Sequence, residues 1–108
     1  FARPPGGGGD AGVRAAGLAW HTTLAPTAAQ DGIPCFVVPA SGVVVQAHEP
    51  TSQAVIECLI AAPCDWAALC AAATDWFAAR GQAPPAALDT AAADALVALW
   101  RAAAVHPE

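Results

Sequence analysis

Residues 35–73 constrain the fold most, because the hydrophobic period changes inside this stretch from that of strands to that of helices. Residues 35–38 and 43–47 are two short apolar runs rich in β-branched side chains, which is typical of strands. Residues 39–42 lie between them and have turn chemistry, since Pro39 presets φ and Gly42 accepts a positive φ. The pattern predicts a β-hairpin.

A helix is predicted directly after the hairpin. Pro50 fits the first turn of a helix, and Thr51 or Ser52 can accept hydrogen bonds from the unpaired N–H groups of that turn. Pro63 ends the helix. Helical spacing places four apolar residues on one stripe: Val55, Ile56, Leu59 and Ile60.

Two further helices are predicted. Asp65 is the expected N-cap of the second helix, which ends at Arg80 and Gly81. The third helix follows a proline-containing loop over residues 81–88, with Asp89 or Thr90 as its cap, and ends near residue 104, before a short extended tail. The second helix has an apolar face of Trp66, Leu69, Cys70, Ala73 and Phe77, and the third a stripe of Ala92, Leu96, Leu99 and Ala103 beside Val97 and Trp100.

The N-terminal part of the chain divides into three pieces. Residues 1–17 contain a run of glycines and are expected to form a flexible linker. Residues 18–24 alternate apolar and polar side chains and predict a half-buried strand. Residues 25–33 hold the turn pair Asp31-Gly32 and are expected to form a loop. Because the chain begins with phenylalanine, we interpret it as a piece of a longer or processed protein.

Three main helices with a small antiparallel sheet make an α+β domain over residues 18–108. The order of the hairpin and helices is that of a winged-helix module. Many winged helices bind DNA, but this chain has a net charge of −5, and its only cations besides histidine are four scattered arginines (Arg3, Arg14, Arg80 and Arg101). They cannot form the basic face that phosphate binding requires, so no nucleic-acid partner is expected.

The same composition argues against membrane insertion. No apolar run reaches the ~18–20 residues needed to cross a bilayer, and no apolar signal segment is visible near the start. We therefore expect a cytoplasmic protein without a membrane partner. The abundance of alanine is typical of GC-rich bacterial genomes.

Residue types that carry chemistry are present, but their spacing indicates no catalytic or metal site. The cysteines (Cys35, Cys58, Cys64 and Cys70) form no CxxC pair, so core packing is the preferred interpretation, with a disulfide or a metal site as alternatives. The histidines (His21, His48 and His106) are far apart in sequence. Ser41 lacks the surroundings of a nucleophile elbow, and no phosphate-binding loop occurs. We expect neither an enzyme nor a cofactor.

Two features indicate a protein or peptide partner. Val43, Val45 and Ala47 lie on an uncharged, strand-prone run whose edge could accept another chain, unless residues 18–24 cover it. Trp76 falls one step off the apolar stripe of its helix. It either packs in the core, as large aromatic side chains usually do, or is exposed, which would favour a protein contact. A dimer is also possible, because an alanine-rich helix lets the backbone of a second copy approach closely.

One known family shows these features in the same order. A strand over residues 18–24 and a loop are followed by Phe36, Pro39, Gly42, Val45, His48, Pro50, Ala54, Leu59, Trp66, Leu69, Leu96 and Trp100. The pattern resembles the winged-helix regulatory region of bacterial class I methyltransferases, some of which act on protein lysines. The resemblance covers about residues 18–107 and implies a non-catalytic regulatory or substrate-engaging role, with the methyl-donor site in another domain.

The pattern is also similar to two other kinds of accessory domain. PqqD-like recognition elements of peptide-modifying clusters capture a leader peptide as an added strand, which would make Val43, Val45 and Ala47 edge positions and the last helix the opposite groove wall. The winged helix at the C-terminus of bacterial ribosomal oxygenases is a third.

We therefore expect a non-enzymatic accessory domain that binds a protein or peptide, or the enzyme domain of its own chain, and positions it for modification. The alternatives are a leader-peptide recognition element and an acidic transcription-type module.

Overall fold

The computed structural model describes residues 19–107, which form six strands and three helices. The strands are β1 (Ala19–Thr22), β2 (Ala25–Gln30), β3 (Ile33–Val37), β4 (Val44–Gln46), β5 (Cys64–Asp65) and β6 (Val105–Pro107). The helices are α1 (Pro50–Ala61), α2 (Trp66–Ala79) and α3 (Leu88–Arg101). The predicted α+β class is confirmed, with three helices and small antiparallel sheets. The predicted linker over residues 1–17 lies outside the described residues.

The hairpin predicted from residues 35–47 is present as β3 and β4, which pair antiparallel. The turn between them is closed at Val38, whose carbonyl accepts hydrogen bonds from the N–H groups of Ser41 (3.2 Å) and Gly42 (2.8 Å). Gly42 has a φ of 75°, a conformation that side chains with a Cβ rarely adopt. The turn residues therefore act as the sequence predicted.

The expectation that residues 25–33 form a loop is wrong, because they contain β2 and the start of β3. Gln30 pairs with Ile33, so Asp31 and Gly32 are the two central residues of a tight hairpin turn. Both have positive φ values, 53° and 78°, which is the geometry that favours an Asp-Gly pair in a two-residue hairpin. The sheet order is β2-β3-β4.

A second sheet has the order β5-β1-β6, so the chain holds two three-stranded sheets in its described part rather than one. The strand predicted over residues 18–24 is present as β1, with Trp20 and Leu24 buried as its alternation indicated. The hydroxyl of Thr22 donates a hydrogen bond to the carbonyl of Ala104 at 2.7 Å. β1 thus pairs with the C-terminal tail, and the alternative that it covers the edge formed by residues 43–47 is wrong.

The limits of α2 are those expected from the sequence. The Oδ1 atom of Asp65 accepts a hydrogen bond from the N–H of Ala68 at 2.8 Å, which satisfies one of the unpaired donors of the first turn. At the other end, Arg80 is the C-cap and Gly81 has a φ of 68°. The predicted start of α2 at Asp65 and its predicted end at Arg80 and Gly81 are therefore both confirmed.

The predicted caps of the other two helices are wrong. α1 has Glu49 at its N-cap, without a side-chain hydrogen bond, and Thr51 is buried inside the first turn instead of capping it. α3 begins at Leu88, so Asp89 lies within its first turn. Leu88 packs against the cluster around Phe77, and this apolar contact extends the helix past the expected cap.

The core lies where the three helices meet the two sheets, and most of the predicted apolar stripes face it. Two residues depart from their stripes. Ile60 is 37% exposed at the end of α1, and Ala103 lies beyond α3 with a φ of 59°. α3 ends at Arg101, earlier than expected, because Ala103 turns the chain into β6. The largest fully buried side chains are Trp20, Ile56, Leu69, Leu96, Val55, Val105 and Cys35.

Candidate functional site

β4 is one of the two edge strands of the sheet β2-β3-β4, and within residues 19–107 no further strand pairs with its outer edge. The carbonyl of Val43 accepts a hydrogen bond at 2.8 Å from the residue that follows β3, and the N–H of Ala47 donates one to β3 at 2.9 Å. Because such bonds alternate along an antiparallel strand, the backbone groups of Val44 and Gln46 point away from β3. Their N–H and carbonyl groups are the ones available to an added strand.

The predicted contact residues Val43, Val45 and Ala47 lie along this strand, but their side chains have different surroundings. Val43 and its neighbour Val44 are 48% and 45% exposed. Val45 is half-buried against the core, and Ala47 belongs to the core with 4% exposure. The side chains of Val45 and Ala47 therefore anchor the strand, while those of Val43 and Val44 are exposed to solvent.

A groove of about 360 Å³ opens between the end of β4, the start of α1 and the outer face of α3. On α3 it is bordered by side chains at helical spacing, on the face opposite the buried Leu96. Of the four α3 side chains that line the groove, three are alanines, so a ligand could approach the helix backbone closely. The groove is lined by Gln46, His48, Glu49, Ser52, Ala91, Asp94, Ala95 and Ala98.

The groove is acidic. Glu49 and Asp94 line it and are both exposed, whereas the two arginines among the described residues, Arg80 and Arg101, do not line it. The Nε2 atom of Gln46 donates a hydrogen bond to Oε1 of a β2 glutamine at 2.9 Å, which ties the groove margin to the sheet. The PqqD-like resemblance implied that the last helix forms the wall opposite the hairpin, but it did not point to these carboxylates.

A second groove, of about 510 Å³, lies between β2, β3 and the end of α1 and is mostly apolar. Its margin includes the exposed Ile60, and Cys35 lies in its wall. This groove was not predicted, because residues 25–33 were expected to form a loop. Its lining consists of Pro26, Thr27, Ala29, Pro34, Cys35, Phe36, Glu57, Ile60 and Ala61.

Trp76, the fourth predicted contact residue, is half-buried, so the interpretation as an exposed contact residue is not the one that the structure favours. Its indole N–H donates a hydrogen bond to Oε1 of Glu57 at 3.3 Å, and the guanidinium carbon of Arg80 lies 3.7 Å from its ring centre. Arg80 also pairs with the same carboxylate oxygen at 3.2 Å. The off-stripe position of Trp76 thus places it between α1 and α2, and it does not line the groove beside β4.

All four cysteines are free thiols. Burial raises the pKa of Cys58 to about 11, with the neighbouring Cys64 and Glu57 adding to the effect. Burial also raises the pKa of Cys64, with a smaller contribution from Asp65. Since the thiolate is the nucleophile, the raised pKa values of Cys58 and Cys64 argue against a nucleophilic role near neutral pH. Their place against the core fits the packing role expected from the sequence.

The fold brings together two histidines that the sequence separates. His21 and His106 are directly opposed on β1 and β6, and their rings stack with centroids 5.5 Å apart. His48 lies apart from them, beside the groove. Within residues 19–107, no three histidine, cysteine, aspartate or glutamate side chains come together in a way that could hold a metal ion.

In the described part of the chain, every helix is too short or too polar to cross a membrane. Comparison with known proteins found no match to a family model, to a curated protein or to a solved structure.

Proposed function

We propose that this chain is a non-enzymatic accessory domain that holds an extended peptide or protein segment along the outer edge of β4 and positions it for a modifying enzyme. The observation that carries the proposal is an edge strand whose end opens into a groove walled by a helix. Backbone groups on such an edge bind an extended chain, and the adjacent groove selects its side chains.

The position of the groove supports capture of a peptide over docking through a flat surface. Leader-peptide capture by PqqD-like elements would require a hairpin edge and a last helix as the opposite wall. Here the corresponding parts are β4 and α3, and the residues between them are small or polar. The acidic surface favours a peptide over nucleic acid, whose binding depends on lysine and arginine.

Selection from a display library of random peptides tests the proposal with the full chain. We expect enriched peptides to bind with dissociation constants of about 1–100 μM, a range typical of modest interfaces. Val44→Pro should weaken the best of them at least about tenfold, because it removes an outward N–H donor and places a ring on the edge. Proline is tolerated on an edge strand where the N–H faces solvent, so the fold should survive.

Val44→Thr is the matched control, because it keeps both the N–H and the β-branched shape. It should bind like the unmodified chain. Failure to enrich any peptide above empty beads would contradict the proposal, as would equal affinities of the proline and threonine variants. Salt-dependent binding of a DNA duplex in place of peptide would favour the transcription-type alternative.

A further inference from the structure

We infer that the segment held by this groove is basic, with lysine or arginine at the positions that face Glu49 and Asp94. This inference rests on the proposed function and specifies the chemistry of the partner. It is drawn from the charges that line the groove and from the small size of the α3 side chains that line it with them.

Glu49 and Asp94 are exposed, and within residues 19–107 neither carboxylate forms a hydrogen bond or an ion pair. Glu49 is the N-cap residue of α1, but its side chain makes no capping hydrogen bond. Arg80, a cation that contacts α1, forms its ion pair with Glu57 and does not line this groove. Both carboxylates are therefore available to a cation from outside the described residues.

The α3 wall of the groove suits a long cationic side chain. Ala91, Ala95 and Ala98 present only methyl groups along α3, so the alkyl stem of a lysine or arginine could lie against them. Its charged end would then reach Asp94, which lies on the same face of the helix. In an added strand, alternate residues face the same side, so one or two cations of the segment would point into the groove.

The N-terminus of α1 also borders the groove and has the opposite electrostatic preference. A helix N-terminus carries roughly half a positive charge, and its effect fades within the first turn. Two full negative charges on Glu49 and Asp94 exceed it. The balance favours a cationic partner over an acidic one.

The test compares peptides selected from the random display library by three forms of the full chain. One is unmodified, one carries Glu49→Gln with Asp94→Asn, and one carries Asp31→Asn with Asp75→Asn. The last pair removes the same net charge at exposed positions that do not line the groove. Asparagine tolerates the positive φ of residue 31, so this control should fold.

We expect lysine and arginine to be enriched over aspartate and glutamate by the unmodified chain and by the distant-charge control. The groove variant should lose this bias and bind the same peptides roughly two- to fivefold more weakly for each charge removed, as expected for exposed ion pairs. Selected peptides that are neutral or acidic would overturn the inference, as would a basic bias that persists in the groove variant. If peptides bind and respond to Val44→Pro without a basic bias, only this inference fails; if no peptide binds, the proposed function fails with it.

Discussion

The indole rings of Trp20 and Trp100 meet edge to face, with centroids 5.0 Å apart and planes at 75°. Trp20 is fully buried on β1, and Trp100 lies on the inner face of α3. The contact therefore fixes the rotation of α3 about its axis. With Trp100 and Leu96 turned inward, Asp94 and the neighbouring alanines are turned toward the groove.

Replacement of Trp20 by alanine should lower the free energy of unfolding by about 3–5 kcal/mol, the usual cost of removing a buried tryptophan. Chemical denaturation monitored by circular dichroism measures this change. Trp100→Leu should cost less, because it retains much of the apolar contact, and a double-mutant cycle should show coupling of about 1 kcal/mol from the ring contact. A loss below about 1 kcal/mol for Trp20→Ala would contradict the central place of this residue.

Trp76 should act on stability and not on peptide binding, because it lies between α1 and α2 instead of beside β4. Trp76→Phe keeps an aromatic ring for Arg80 but removes the N–H bonded to Glu57. We expect a loss of about 0.5–1.5 kcal/mol in unfolding free energy, the typical worth of one hydrogen bond, with unchanged affinity for selected peptides. A loss of affinity with unchanged stability would instead restore Trp76 as a contact residue.

Asp65 and Ser52 form a matched pair for testing the helix caps. Asp65→Ala should cost about 0.5–2 kcal/mol, because it removes the acceptor for the N–H of Ala68. Ser52→Ala should change stability by less than about 0.5 kcal/mol, because this serine does not cap α1. Both values come from urea unfolding curves. A larger effect at Ser52 than at Asp65 would mean that the sequence-based cap of α1 was right.

Alkaline pH should destabilise the fold through Cys58. Its pKa rises from 9.0 to about 11 in the folded chain, so the folded state favours the protonated thiol. This contribution is fully present below pH 9 and is lost as the pH rises through about 11. The chain has no tyrosine and no lysine, so the thiols dominate titration in this window, and Cys64, whose pKa burial also raises, contributes beside Cys58.

We therefore expect the free energy of unfolding to decline between pH 9 and 11, and the decline to be shallower for Cys58→Ala. Guanidinium unfolding at several pH values measures both slopes. Cys58→Ala also reduces core packing, so the comparison concerns the slopes and not the absolute stabilities. Identical slopes would show that Cys58 does not control the alkaline transition.

Local signals in the sequence predicted the three helices and the β3-β4 hairpin. The Pro39–Gly42 turn, the Asp65 cap and the Arg80-Gly81 end all operate through contacts within a few residues. β2 was not predicted, because its six residues include a proline and three alanines, which have low strand propensity. Its conformation depends instead on its pairing with β3. The start of α3 likewise depends on a tertiary contact of Leu88.

The candidate site was predictable only in part. The strand-prone run at residues 43–47 marked the edge, but the sequence could not tell which side chains turn inward, and it could not show that β1 joins the other sheet. The face of α3 formed by residues 91, 94, 95 and 98 could have been found from its helical spacing opposite the apolar stripe. That this face borders β4 depends on the packing of Trp100 and Leu96, which no local pattern records.

Backbone amide hydrogen exchange at residues 44–46, followed by nuclear magnetic resonance, tests the central claim most directly. In the unliganded chain, the amides of Val44 and Gln46 should exchange quickly and that of Val45 slowly, because only Val45 donates toward β3. Saturation with a library-selected peptide should protect Val44 and Gln46 by at least about tenfold, since an added strand supplies their acceptors. Protection of these amides before peptide is added, or fast exchange that persists after saturation, would contradict strand addition at β4.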